Sequence, residues 1–137
     1  MDKPMKLPEL PPVPLAPMGK EDKKSLVAIL RSVPSGELWR LEVQEWVRQG
    51  YARIWIHLCL ERGIQPPMAA NRTHRAYKTL EPLMCAAAER VAHHTAKQVE
   101  DWHLPEIALA ASALWREAMG ARATATGKRE KLLEEVG

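Results

Sequence analysis

His93, His94 and His103, with Glu100 and Asp101 between them, are the side chains in this sequence best suited by type to ligate a metal ion. Their spacing argues against it. Ligands on one helix face stand three or four residues apart, as in H-E-x-x-H, and adjacent helical residues point about 100° away from each other. No two histidines are four apart, and no cysteine joins them at a finger spacing. Cys59 and Cys85 stand singly rather than in C-x-x-C pairs, so they read as buried free thiols, not as a disulfide framework. Ser25, Ser32, Ser35 and Ser112 lack the G-x-S-x-G elbow of a nucleophilic serine. Neither a P-loop nor a G-x-G-x-x-G fingerprint occurs, and no carboxylate pair stands out as acid and base. The expectation is a protein without catalytic residues, cofactor or metal.

Binding chemistry is better represented. Asn71 to Lys78 carries Arg72, Arg75 and Lys78, no acidic residue, and Tyr77. On a helix running from about Met68 to Leu80, cations three apart form a row, as contacts to successive phosphates require. Against this stand Glu81 and Glu89 nearby, and a net charge of only +3 from 20 basic and 17 acidic residues. Nucleic-acid binding through residues 72–78 is therefore the alternative reading rather than the first one. Asn71-Arg72-Thr73 also matches the glycosylation tripeptide, which has no meaning in a cytoplasmic protein.

The first reading rests on apolar residues. Residues 1–19 hold Pro4, Pro8, Pro11, Pro12, Pro14 and Pro17, interleaved with Leu7, Leu10, Val13 and Leu15. Proline removes amide donors and biases the residue before it toward extended conformations, so this segment is an extended arm. Its P-x-x-P spacings suit an aromatic groove on another protein. Trp39 and Trp55 are the other candidate contacts, because tryptophan is favoured at binding hot spots and a core this small does not readily hide all five. Leu7, Leu10, Val13 and Leu15 are expected to dock on a partner rather than in cis, since residues 20–120 already supply enough apolar stripes to close a core.

Those stripes imply helices. Leu26, Ile29, Leu30 and Val33 share one face of a helix over 20–33, stopped by Pro34. Trp39, Val43, Trp46 and Val47, then Ile54, Trp55 and Leu58, predict two further helices, each ending at a glycine followed by an apolar residue: Gly50-Tyr51 and Gly63-Ile64. Ser35 suits the N-cap of the first, with Glu37 in its first turn. The rival is a β-hairpin at about 38–60, because Ile54, Ile56, Leu58 and Leu60 also alternate and Arg48-Gln49-Gly50 would make a turn. Gln65-Pro66-Pro67 forces a break. Pro82 fits the first turn of a helix running to about Trp102, whose seam is Met84, Ala88, Val91, Thr95, Val99 and Trp102. Pro105 opens an alanine-rich helix with Ile107, Ala111, Leu114 and Ala118 inward, closing near Gly120. Residues 121–127 read as a low-complexity linker, and 128–137 as a short charged helix or tail.

With 137 residues there is room for one domain, and no apolar run reaches the roughly 18 residues that span a bilayer. The expected architecture is mainly α: a small multi-helix bundle over 20–120 with an extended proline-rich arm (1–19) and a C-terminal linker and tail (121–137), or α+β if the hairpin forms. The expected role is that of a cytoplasmic interaction module, a small subunit, adaptor or regulator docking on a larger protein, with self-association as a further outcome of the same surfaces.

Overall fold

A computed structural model describes residues 6–33, 35–95 and 104–136, with side chains left out at Ser35, 92–95 and 121–136. The chain is mainly helical, a small bundle, and no strand occurs among the described residues. Helix α1 spans Lys20–Arg31, a 3₁₀ turn spans Ser35–Glu37, α2 spans Leu41–Glu61, α3 spans Pro66–Ala69, α4 spans Arg75–Thr95 and α5 spans Leu104–Val136.

Helix α2 is the hub, packed against α1, α3, α4 and α5. From Gly50 to Cys59 every residue but Arg53 is buried. This explains the strand-like alternation: a helix buried on all sides is apolar on all sides, so Ile54 and Leu58 on one face and Ile56 on the opposite side of one helix are all inside. The hairpin does not form.

Nor do two helices. Helix α2 continues through Gly50, which is buried where α1 crosses it; a Cβ there would overlap Leu30, whose Cγ would lie at 3.2 Å. The glycine is there for close approach rather than for a cap. Gly63 does cap α2. At φ +68° it takes the left-handed conformation, its N–H donates to Leu60 O at 3.1 Å, and the N–H of Ile64 donates to Cys59 O at 2.9 Å. These are the two bonds of a Schellman ending, with Ile64 half-buried against the core. Ser35 falls in the 3₁₀ turn, and the residue preceding α2 is Arg40.

Pro82 lies inside α4 rather than at its start. A mid-helix proline removes one backbone hydrogen bond and costs about 3 kcal/mol. Here the interrupted turn faces solvent, since Lys78 and Pro82 are both exposed, while Ala76, Tyr77, Leu80, Met84 and Val91 are buried on the other side. Val99 and Trp102 of the expected seam lie outside the described residues.

Helix α5 carries the expected inward stripe: Ile107 and Ala111 are buried, Leu114 and Ala118 half-buried. Buried Ala108 and Ser112 keep the interface with α2 and α3 narrow. Its backbone does not stop at Gly120 but stays helical to Val136, so a linker at 121–127 is not observed. Alanine is the best helix former, and low complexity alone does not break a helix.

Candidate interaction site

Three surfaces collect the residues singled out above: the arm on α2, the corner before α2, and the start of α4.

The arm is seated on its own domain. Leu7, Leu10, Val13 and Met18 are half-buried against the core, which corrects the expectation that these leucines and the valine are kept free for a partner. The reason is a match of donors and acceptors. The Trp46 indole N–H donates to Pro8 O at 2.8 Å, and Arg53 Nε donates to Pro11 O at 2.6 Å. His57 Nδ1 accepts the Met18 amide at 3.0 Å. Trp46, Arg53 and His57 lie seven and four residues apart, on one face of α2. Arg53 also donates from Nη1 to Gln49 O at 3.0 Å, so the guanidinium, whose pKa burial lowers from its ordinary value, is held by backbone oxygens rather than by a carboxylate. Leu15 is 39% exposed and makes no such anchor.

His57 is a buried titratable group that spacing did not pick out. Burial lowers its pKa from the ordinary histidine value; Glu61, whose Oε2 lies 3.6 Å from Nε2, pulls it up, and Lys23 and Arg62 add to the lowering. Accepting the Met18 N–H needs an unprotonated Nδ1. Above the unfolded-state pKa, near 6.5, His57 is neutral in both states and its contact is fully present. As pH falls through that value the unfolded chain takes up a proton that the folded chain resists, so stability declines until the lower folded pKa is reached. The expected outcome is a melting temperature that falls between neutral pH and pH about 5. In His57→Gln, whose amide oxygen can accept from Met18 without titrating, this component is lost; parallel curves for the two proteins would show that His57 does not contribute.

The corner before α2 presents Trp39 and Leu41, which are 76% and 82% exposed and flank Arg40. The corner is fixed on every side. Leu38 is buried beneath it, Gln44 Nε2 donates to Leu38 O at 2.9 Å, and the Arg40 guanidinium bridges Glu37 and Glu42. Trp55, the other tryptophan offered as a contact, is not on the surface. It is fully buried, with its ring centroid 5.7 Å from that of Tyr77, and is a core residue.

At the start of α4 the three cations are exposed but do not form one helical row. Helix α4 begins at Arg75, so only Arg75 and Lys78 share its face; Arg72 lies in the preceding turn, beside the Tyr77 hydroxyl. That turn is ordered locally. Asn71 Oδ1 accepts from the Thr73 amide and hydroxyl at 3.1 and 2.8 Å, and His74 Nδ1 accepts the Ala76 amide at 3.0 Å, capping the helix.

Cys59 is buried, and its thiol is pushed up to about 12 by desolvation, so it stays protonated. Cys85, expected to be buried, is exposed because it lies on the outer side of α4. Its pKa is raised as well, by desolvation and by the Glu81 and Glu89 carboxylates, the reverse of what activates a thiolate. Among the described residues no three metal-ligating side chains converge. The side chains of His93 and His94, and the whole of Glu100, Asp101 and His103, lie outside the described residues. No described helix is long and apolar enough to cross a membrane.

By fold and surface the chain is a helical bundle with an extended segment strapped across its central helix. Comparison with protein-family models, with curated proteins and with solved structures yields no significant match.

Proposed function

We propose that this protein is a non-enzymatic interaction module, a small subunit, adaptor or regulator that docks on a larger protein through the Trp39–Leu41 corner. The observation that carries the reading is the exposure of two large apolar side chains on a braced turn. A tryptophan left in water forgoes roughly 2–3 kcal/mol of burial, and one held on a pre-ordered turn loses little further freedom when a partner covers it. The free thiols Cys59 and Cys85 fit a cytoplasmic setting. The test compares the full chain with Trp39→Ala/Leu41→Ala as baits in extracts of cells that express it. A polypeptide that the wild type retains and the double variant loses, at unchanged melting temperature, supports the reading. Identical partner sets overturn it.

A second reading has its own observation. Arg72, Arg75 and Lys78 surround the N-terminus of α4, whose dipole adds positive potential, and none forms an ion pair with a described residue. If they contact phosphates, each neutralising substitution should flatten the dependence of log affinity on log salt for duplex DNA or RNA by about 0.9. Absence of binding at low salt rejects this reading, and the Trp39–Leu41 variant is expected to leave it unaffected.

A further inference from the structure

The arm is periodic in a way that its contacts make visible. Leu7-Pro8-Glu9, Leu10-Pro11-Pro12 and Val13-Pro14-Leu15 are three successive triplets of an apolar residue, a proline and a third residue. The apolar places, 7, 10 and 13, are all half-buried, and the third places, 9, 12 and 15, are all exposed. Three residues per turn is the period of polyproline II, whose φ proline favours. The carbonyls that accept from α2, Pro8 O and Pro11 O, are likewise one triplet apart. Their donors, Trp46 and Arg53, are two helical turns apart, about 10.5 Å along α2, close to the roughly 9 Å rise of three polyproline II residues.

We propose that this face of α2, with Trp46 and Arg53 as its donors, is a recognition track for proline-rich segments of other proteins built from apolar-Pro-x triplets, and that the arm is its intramolecular occupant. The track reads main-chain carbonyls and the apolar place of each triplet. It makes no demand on the third place, so other chains with the same period fit it. The arm is also a detachable layer: none of its described residues belongs to the fully buried core, which is closed by residues of the helices and their connections. A tethered arm competes at an effective concentration of about millimolar, which keeps the track covered until a partner's segment outbids it. This inference goes beyond the Trp39–Leu41 corner and stands independently of it.

The test uses the full chain carrying Leu10→Asp and Val13→Asp, which loosens the arm and leaves the track intact. Three synthetic peptides serve as probes: a copy of residues 6–18, the same peptide with lysine at the three outward places, and one with a glycine inserted after Glu9. The first two should bind one to one with similar affinity. The third should bind about tenfold more weakly, as the loss of carbonyl hydrogen bonds predicts. Adding Trp46→Phe should weaken the first two about fivefold, and Trp39→Ala/Leu41→Ala should change nothing. Should the aspartate variant not fold, the unaltered chain carries the test: millimolar lysine-bearing peptide must speed hydrogen exchange at the Met18 amide. A folded variant that takes no peptide, or one that takes only the exact arm copy, overturns the proposal. So does exchange of arms between copies in a concentration-dependent dimer that excludes the lysine-bearing peptide, which would assign the track to a second copy.

Discussion

Trp55→Ala lowers the unfolding free energy by about 3–5 kcal/mol, whereas Trp39→Ala leaves it within about 0.5 kcal/mol. The two tryptophans stand on one chemistry in opposite settings. Trp55 is fully buried at the centre of α2 with its ring against Tyr77, so truncation leaves a cavity walled by helices that cannot collapse into it. Trp39 stands on the corner before α2 and fills no space in the core. The Trp55 indole N–H also has no acceptor among the described residues. Trp55→Phe, which keeps a ring and deletes that donor, is therefore expected to be milder than Trp55→Ala. Urea unfolding followed by circular dichroism measures all three, and equal losses at positions 39 and 55 would contradict the packing described.

Gly50→Val is expected to lower stability by about 3 kcal/mol, at the upper end for overpacking a core. Gly50→Ala is the sharper version of the same experiment. On helix propensity alone it should stabilise α2 by about 1 kcal/mol. Against that, the new methyl group meets the buried Leu30 side chain of α1, and the resulting strain of about 1–3 kcal/mol decides the sign. A net loss in melting temperature is expected. Leu30→Ala in the same chain should partly relieve it, because the room taken by the methyl group is then vacated; a Gly50→Ala protein more stable than wild type would show that α1 and α2 stand farther apart.

Gly50 and Gly63 mark what can and cannot be read from a local pattern. Both precede an apolar residue and follow a polar pair, and both looked like helix ends. Gly63 is one because nothing crowds it and the Gln65-Pro66-Pro67 run beyond prevents continuation. Gly50 is not, because its neighbour in space, Leu30, lies twenty residues away in the chain. Pro82 carries the same lesson: its ring is tolerated in mid-helix because that side of α4 faces water, and no local pattern states which side that is. In the arm, Leu7, Leu10, Val13 and Leu15 are legible as docking residues, but not the surface they dock on: Leu7, Leu10 and Val13 pack on the same chain's domain and Leu15 stays exposed.

By itself, the sequence determined the helical character of the chain, the Schellman ending at Gly63, and the inward faces of α1 and α5. Each follows from backbone chemistry or from a period that repeats within a few residues. Only the tertiary structure decided that α2 runs unbroken as the hub, that Trp55 is core while Trp39 is surface, that Arg72 stands apart from the row of Arg75 and Lys78, and that the arm lies on its own domain. These depend on which distant residues meet. Burial and hydrogen-bond partners are properties of that meeting, so a donor such as Trp46 finds its acceptor at Pro8 only once the bundle has closed.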